Sequence, residues 1–496
     1  MKLKIHRGTK QIGGNIVEIA TDTTKIILDC GRNLPPLDDP KASDNIEIDG
    51  LTQGESCYDA VFITHYHADH CGLIERVNAD IPIYTGQETK TVLDVIADFI
   101  DKPLPRINRV LEPGQAVQVG DMKILPLKVK HSAEGAMMFL VEAEGQKVLY
   151  TGDFNRIDEA YYALLGEIDV LLCEGTNIGV RNDKTEKDIE RDAAQIMRQS
   201  DKPVFVLCST TNIERIKGIG KACRNSGRTI AIDPFMKAVT EGVKAPLLIL
   251  NEVGFVPYYI DKKKTPRIHK YLASDIQNFS GAETVSKMTN LTFMVRQSMG
   301  DFLVRLDKLT PLAGSTLIYS MWQGYENTGP TKKFLDLCRS LGMNIEYLHT
   351  SGHAYREQLE TAVHRLNPKT LVPIHTESAE AFREMHGNVV LLDDGEVLDC
   401  GDSQNAMNID SNAKLCDVFK ELEGLDLTIG DLDLPVRVYN FLYRNDIRTL
   451  QQLLSISAND IMDVLVHKEK RSFSPDGFIE VIVYHLQQLV KRNEHL

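Results

Sequence analysis

Short apolar runs separated by polar turns make up the first part of the chain. The runs Ile16–Ala20, Lys25–Leu28 and Ala60–Thr64 have the length and composition of strands, and the stretches MKILPLKVKH, FLVEAEGQKVLYTGD and IDVLLCEGTN repeat the pattern. Most of these runs end at a polar residue, such as Glu174 at the tip of the last one. Strands that each bring one polar residue to a common edge predict an active site built on a sheet.

The pattern changes at about Lys202. The stretch KPVFVLCSTTNIERIKGIGKACRNSGRTIAID is typical of strand, helix and strand, which predicts an α/β unit with a parallel pair of strands. The stretches MNIEYLHTSGHA and KTLVPIHTE then return to strands that end near a histidine. We therefore expect an α/β protein.

A polar stretch near residues 402–424 indicates a linker, and the chain beyond it is helical in pattern. Apolar positions there have helical spacing and predict short amphipathic helices: Leu434, Val438, Phe441, Leu442, Leu450, Leu453 and Leu454.

Composition narrows the class of protein. The 496 residues carry a net charge of −14, which argues against a protein that coats nucleic acid non-specifically but leaves room for a local basic groove. Nine cysteines without a CxxC pair are typical of reduced thiols, so we expect a cytoplasmic location. No apolar run is long enough for a bilayer and the N-terminus lacks the apolar segment of a secretory signal, so we expect no membrane partner.

A dense polar cluster stands in the stretch VFITHYHADHCG. His65 and His67 are two positions apart at a strand end and point to one side, while Asp69 and His70 follow on the next turn. Histidine and aspartate side chains bind zinc in proteins, and two pairs of them are enough to start two adjacent metal sites. Further candidate ligands stand at other strand ends: His131, Asp153 and His375. One such histidine alone would more often be a surface or core residue, but the whole set in this order favours metal.

The order HxHxDH, then His, Asp and His, resembles that of the metallo-β-lactamase superfamily. The resemblance implies two Zn²⁺ per chain. It implies that one zinc is bound by His65, His67 and His131, that the other is bound by Asp69, His70 and His375, and that Asp153 bridges them.

The long segment between Asp153 and His375 resembles the β-CASP branch of that superfamily, the ribonuclease J type above all, over about residues 1–400. Glu174 in LLCEGTN and His353 in SGHA match the branch's additional acidic and histidine motifs. The implied fold is a metallo-β-lactamase αββα sandwich (residues 1–199 and 351–402), an inserted β-CASP α/β domain (200–350) and a small all-α C-terminal domain (425–496). The implied catalytic residues are Asp69, Glu174 and His353.

Polar groups beside these motifs are candidates for binding substrate phosphates. Ser209, Thr210 and Asn212 precede a helix, and Ser351 and Gly352 precede His353. The alternative for residues 209–212 is a simple helix N-cap, and the two roles are compatible.

One loop of the insert departs from the pattern of the ribonuclease J type. WQGYE, starting at Trp322, replaces the usual Ser-Gln-Gly-Glu-like loop. A single tryptophan is more often buried, so we expect Trp322 in the core, with base stacking as the alternative.

The run Asp261–Arg267 with Lys270 is a candidate basic patch for steering a nucleic-acid strand, and a solvated loop is its alternative.

The C-terminal stretch DLDLPVRVYNFLYRNDIRTLQQLL resembles the C-terminal domain of the bacterial RNA polymerase α subunit over about residues 425–490. That resemblance implies contact with DNA or with the transcription machinery. Ser474–Gly477 stand where that family has a cationic hairpin, which favours docking or dimerisation over reading DNA. Assembly into an oligomer is compatible with this.

The leading hypothesis is a zinc-dependent ribonuclease that hydrolyses RNA phosphodiester bonds with a metal-bound hydroxide, by endonucleolytic or 5′ exonucleolytic cleavage or both. One alternative is a DNA nuclease of the same branch. Another is a nucleic-acid-binding or RNA-polymerase-binding protein whose metal site is vestigial. The long insert makes a small-molecule hydrolase the weakest alternative.

Overall fold

The structure is a computed structural model. It describes residues 1–34, 44, 46–180, 184–244, 252–257, 279–327, 329–401, 414–422, 424–432, 434, 436–457, 460–461, 482, 485–486 and 489–490. The basic run at 261–270 and the segment 474–477 lie outside these residues. None of the helices in the described part of the chain has both the length and the apolar composition that a bilayer span requires.

Strands in the described residues form three sheets, and the first is made by the N-terminal part of the chain. Its order is β20-β1-β2-β3-β4-β5-β6. The strands are β1 (Lys2–Arg7), β2 (Ile16–Ala20), β3 (Lys25–Leu28), β4 (Ala60–Ile63), β5 (Ile83–Gly86), β6 (Arg109–Leu111) and β20 (Val397–Asp399).

The second sheet has the order β19-β11-β10-β9-β8-β7. Its strands are β7 (Val117–Val119), β8 (Met122–Lys128), β9 (Met137–Ala143), β10 (Gln146–Tyr150), β11 (Val170–Glu174) and β19 (Thr370–Ile374). Strands β8, β10, β11 and β19 run in one direction, because β9 is antiparallel to both of its neighbours and the pairs β10–β11 and β11–β19 are parallel. Their carboxyl ends therefore meet at one edge.

Alternating side chains pack the two sheets face to face. In β4, Phe62 points into the core between the sheets, whereas Val61 and Ile63 point to the opposite face. In β9, Phe139 lies between the sheets and Met138 lies on the outer face of the second sheet. The two-residue period of a strand thus gives each sheet one face toward its partner and one face toward a helical layer. This arrangement is the αββα sandwich that the sequence predicts.

The third sheet lies in the inserted segment and is parallel throughout its described strands. Its order is β15-β14-β13-β16-β12-β17-β18. The strands are β12 (Val204–Leu207), β13 (Thr229–Ile232), β14 (Glu252–Phe255), β15 (Phe279–Ser280), β16 (Leu291–Val295), β17 (Thr316–Tyr319) and β18 (Asn344–Tyr347). The expected parallel pair of β12 and β13 needs a correction, because β16 lies between them.

Helices cover the sheets, and polar caps begin several of them. Thr185 and Asp188 form a reciprocal capping box, and Asp233 caps a helix that starts with Pro234. The helices are α1 (Ala68–Cys71), α2 (Gln87–Phe99), α3 (Glu159–Leu165), α4 (Glu186–Gln199), α5 (Ile213–Asn225), α6 (Pro234–Gly242), α7 (Ala282–Val285), α8 (Gly300–Leu309), α9 (Gly329–Ser340), α10 (Arg356–Leu366), α11 (Leu415–Val418), α12 (Val436–Arg444) and α13 (Leu450–Leu454).

The C-terminal part has a helical core of its own. Val438, Phe441 and Leu442 of α12 and the three leucines of α13 are buried in it, as their spacing predicts. Leu415 and Phe419 are buried in the same core. The described end of the segment expected as a linker, residues 414–422, thus belongs to the helical part.

Two further expectations concern single residue types. The side chain of Trp322 is 54% exposed, so its predicted place in the core is wrong. None of the nine cysteines, all of which are described, forms a disulfide, as the sequence predicts.

Candidate metal centre

The predicted site residues come together at one edge of the two packed sheets. His65 follows β4 by two residues, and His131, Asp153 and His375 follow β8, β10 and β19. Backbone hydrogen bonds join the sheets there: Met137 N–H donates to Thr64 O at 3.2 Å, and His375 N–H donates to Gly8 O at 2.8 Å. Strands on both sides of the core therefore deliver ligands to one place.

Asp69 and His70 lie on the short helix α1, where the sequence predicts a turn. The chain Cys30–Arg32 runs beside this helix, and its backbone bonds to His70 and Ala68. A Cβ at Gly31 would stand 1.7 Å from the carbonyl oxygen of Asp69. Only glycine lets the two segments approach so closely, so Gly31 fixes the position of α1 against the sheet.

The seven predicted ligands form two groups that share Asp153. Potential ligand atoms of His65, His67, His131 and Asp153 all lie within 4.8 Å of one another, and so do those of Asp69, His70, Asp153 and His375. Asp153 Oδ2 is 3.8 Å from Nε2 of His65 and of His131 and 3.0 Å from Nε2 of His70, while Oδ1 is 3.8 Å from Nε2 of His375. Asp153 therefore stands between the groups, where a bridging ligand belongs.

Buried polar atoms without a hydrogen bond test whether these residues fit a metal. Within the described structure, Nε2 of His65 and Oδ1 of Asp153 are buried and make no hydrogen bond, while the buried Nε2 of His70 and Oδ2 of Asp153 form an ion pair with each other at 3.0 Å. Leaving such groups unsatisfied is costly, and native proteins satisfy nearly all of them. Imidazole nitrogens and a carboxylate are the atoms with which proteins bind zinc, so the donor set fits that ion.

The imidazoles of the first group are neutral at pH 7. Burial lowers the pKa of His67 to about 4. Burial and the neighbouring imidazoles together lower the pKa of His65 and of His131 well below the usual value. A neutral imidazole keeps the lone pair that a metal needs.

The second group, which comprises Asp69, His70, Asp153 and His375, contains charged side chains. Burial opposes a charge on His70, but the carboxylates of Asp153, Asp29 and Asp69 outweigh burial and raise the pKa of His70 well above its usual value. The neighbouring histidines likewise hold the pKa of Asp153 far below its usual range despite burial. A cation bound by this group would therefore have to displace a proton from His70.

Asp29 is a functional candidate that the sequence analysis did not single out. It directly follows β3 in the left-handed region, with φ at 61°, and is fully buried. Its Oδ2 accepts from Nδ1 of His70 at 2.7 Å and from the Tyr150 hydroxyl at 2.9 Å, while its Oδ1 accepts from Thr64 N at 2.7 Å. These bonds fix the ring of His70 and leave Nε2 facing Asp153. The only sequence signal was its place at a strand end.

Other hydrogen bonds orient the remaining rings. Nδ1 of His131 lies 2.9 Å from the carbonyl oxygen of Gly352; since a carbonyl only accepts, Nδ1 carries the proton and Nε2 faces the centre. Nδ1 of His375 lies 2.8 Å from the hydroxyl of Thr176. His375 itself has a φ of 56°, a conformation that costs energy in a non-glycine residue and is typical of functional sites.

His353 and Glu174 stand beside the metal ligands. Nδ1 of His353 donates to Oε1 of Glu174 at 3.1 Å, and backbone N–H groups of Phe154 and Thr176 donate to the same carboxylate. Burial alone would lower the pKa of His353, but Glu174 and Asp153 outweigh it and raise the pKa to about 9. The side chain of His353 is 19% exposed, which leaves part of the ring accessible to solvent.

The expected substrate-binding residues lie around this centre. Asn212 accepts from Arg215 N at 3.0 Å and caps α5, so the N-cap alternative holds for Asn212. Ser209 is exposed, and the buried hydroxyl of Thr210 lacks a hydrogen bond among the described residues. Ser351 accepts from His353 N at 3.2 Å, and Gly352 provides the carbonyl that holds His131. Contact with substrate stays a prediction for all five residues.

Comparison with protein families places three matches along the chain. A Beta-lactamase superfamily domain model matches residues 25–208. A model described as Zn-dependent metallo-hydrolase RNA specificity domain matches residues 340–387, and the C-terminal domain of the bacterial RNA polymerase alpha chain matches residues 418–465. The chain thus matches three family models in succession, none of which covers half of its length.

Individual relatives are distant. The chain is 24% identical to a Ribonuclease J of Sinorhizobium meliloti over 71% of its own length and 64% of that protein's, just under two thirds. It is 20% identical to Ribonuclease J2 of Bacillus subtilis over 99% of its own length and 84% of that protein's. A crystal structure of a protein of unknown function from Enterococcus faecalis shares the fold, with a TM-score of 0.66 at 22% identity, over 80% of this chain and 99% of that one.

We predict that Asp29→Asn weakens zinc binding about 10- to 100-fold without unfolding the protein, because the single amide oxygen cannot replace both Oδ1, which accepts from Thr64 N, and Oδ2, which accepts from Nδ1 of His70. Zinc retained after equilibration with graded chelator measures the change. Asp80→Asn, at an exposed aspartate, is the matched control. Equal zinc retention in both variants would contradict the role of Asp29.

Proposed function

Since this chain is a metallo-β-lactamase/β-CASP protein distantly related to ribonuclease J, with a C-terminal domain like that of the RNA polymerase α chain, we propose that it is a zinc-dependent ribonuclease. It hydrolyses phosphodiester bonds of single-stranded RNA and leaves a 5′ phosphate. The observation that carries this proposal is the convergence of seven zinc-type ligands beside a histidine–carboxylate pair.

Two zinc ions per chain fit the two ligand groups. When bound, they would polarise the phosphoryl oxygen and supply hydroxide at neutral pH. His65, His67 and His131 would hold one ion, and Asp69, His70 and His375 the other, with Asp153 between them. Hydrogen bonds occupy Nδ1 of three ligand rings, and each leaves Nε2 of its ring facing the centre, which supports this assignment. The partners of His70, His131 and His375 are Asp29, Gly352 and Thr176, respectively.

His353 is the candidate proton donor of the reaction. Its raised pKa keeps the imidazole protonated at neutral pH, and its partial exposure lets it reach a substrate phosphate or the leaving 3′ oxygen. Glu174 is a positioning residue: it accepts from Nδ1 and so directs Nε2 of His353 away from itself. Asp69 would act through the second metal ion.

RNA is favoured over DNA by the family match. The RNA specificity domain covers residues 340–387, which include both His353 and His375. The relatives are named Ribonuclease J, and the long inserted segment with its seven-stranded parallel sheet disfavours a small-molecule hydrolase.

The chain divides into functional parts along the predicted boundaries. We assign metal chemistry to residues 1–199 and 351–402 and the covering of the cleft to 200–350. The C-terminal helical part is proposed to dock on a partner, by virtue of its match to the polymerase α chain.

We predict cleavage of single-stranded RNA in an assay with labelled RNA and DNA of equal length and sequence. A chelator abolishes the cleavage and added zinc restores it. Mapping of product ends shows 5′ phosphates. The variant His65→Ala/His67→Ala is inactive, because it removes two of the three imidazoles of one ligand group. Failure to cleave RNA in a chelator-sensitive way would reject the proposal, and preferred cleavage of DNA would favour the DNA nuclease.

His353→Ala should lower kcat about 10²- to 10⁴-fold, the usual contribution of a positioned acid or base. Its zinc content should stay at the wild-type level, since His353 is outside the two ligand groups assigned above. His364→Ala, which removes an exposed histidine of α10, should leave kcat unchanged. Loss of zinc from His353→Ala would show that this residue acts as a ligand instead.

A further inference from the structure

The loop that follows β17 carries an exposed aromatic pair that the proposed chemistry does not use. Trp322 is 54% exposed and Tyr325 is 37% exposed. Their rings meet edge to face at 86°, with centroids 5.2 Å apart. Large aromatic rings are normally buried in the absence of a partner, so this pair needs an explanation.

The indole is held in place before anything binds to it. A Cβ at Gly324 would lie 2.1 Å from two ring carbons of Trp322, so the ring lies directly against the Gly324 backbone. The Tyr319 hydroxyl donates to the carbonyl oxygen of Trp322 at 2.9 Å. Arg339 donates to Glu326 at 2.8 Å and so anchors the far end of the loop. A ring fixed in this way loses little conformational entropy on binding.

A buried arginine connects this loop to the segment that contacts the metal centre. The guanidinium of Arg215, which is 1% exposed, donates to Ser320 O at 3.2 Å and to Thr350 O at 3.0 Å. Ser320 lies two residues before Trp322, and Thr350 lies two residues before Gly352. Both strands thus end at the carboxyl edge of the inserted sheet, the edge at which parallel α/β sheets bind ligands.

The Arg215 bridge therefore ties the loop that carries the aromatic pair to the segment whose Gly352 carbonyl accepts from Nδ1 of His131.

We propose that Trp322 and Tyr325 form a stacking platform for one unpaired base of the RNA strand whose phosphate lies at the metal centre. This inference rests on the proposed ribonuclease function and adds the element that grips the bases. Stacking accepts every base, since each has a π face, so the platform selects single-stranded over paired RNA without selecting sequence.

Trp322 is the only tryptophan in the chain, so its fluorescence reports on this platform alone. The zinc-loaded full chain is titrated with hydrolysis-resistant phosphorothioate RNA, while fluorescence anisotropy of a label on the RNA measures binding independently. We expect saturable quenching by single-stranded RNA. An abasic strand with the same number of phosphates should bind more weakly and leave the emission unchanged.

Variants test the same point through affinity. Trp322→Ala should weaken RNA binding at least about fivefold, the lower end for loss of one stacked base, and Trp322→Phe should retain most of the affinity. Gly324→Ala keeps the indole but displaces it, and should also weaken binding. Leu309→Ala, at an exposed apolar side chain of α8, is the control and should bind as wild type.

Binding without quenching, or wild-type affinity in Trp322→Ala, would overturn the platform. If chelator-sensitive RNA cleavage persists in that case, the ribonuclease function stands without the platform. If the protein neither binds nor cleaves RNA, both proposals fail together.

Discussion

The buried carboxylate of Asp153 is the constraint on which the rest of this structure depends. It is 1% exposed and stands within 3.8 Å of imidazole nitrogens from His65, His70, His131 and His375. An anion placed there without compensation would cost several kcal/mol, and the surrounding rings are arranged with nitrogens toward it. Divalent cations between the carboxylate and the rings would turn that cost into binding energy.

The fold holds this arrangement by topology more than by any one contact. After β11 the chain forms the third sheet and then returns to the second sheet through β19, which pairs in parallel with β11 and places His375 one residue beyond the end of that ladder. The same return supplies β20 to the first sheet. One returning segment therefore completes both sheets and one ligand group. The insert packs its helices against the outer face of the second sheet, and Thr211, in the loop after β12, accepts from the Tyr66 hydroxyl beside the ligands His65 and His67.

The sequence predicts the ligand set because each ligand can be recognised from its own stretch of the chain. Each ligand follows an apolar run, and strand ends that share a direction meet at one edge. The sequence does not indicate the role of Asp29, because that role depends on hydrogen bonds from His70 and Tyr150, which are distant from it in the chain. Trp322 was placed in the core on the average behaviour of tryptophan, although its contact with Gly324 is local in sequence. The insertion of β16 between β12 and β13 could not be foreseen, because strand order in a parallel sheet is set by packing of the crossover helices.

Metal occupancy tests the central claim most directly. Anomalous X-ray scattering at the zinc absorption edge, from crystals of the protein grown with zinc, locates the ions independently of any assay. The account predicts two peaks, one among His65, His67 and His131 and one among Asp69, His70 and His375, with Asp153 between them. A single peak, or peaks away from Asp153, would contradict it.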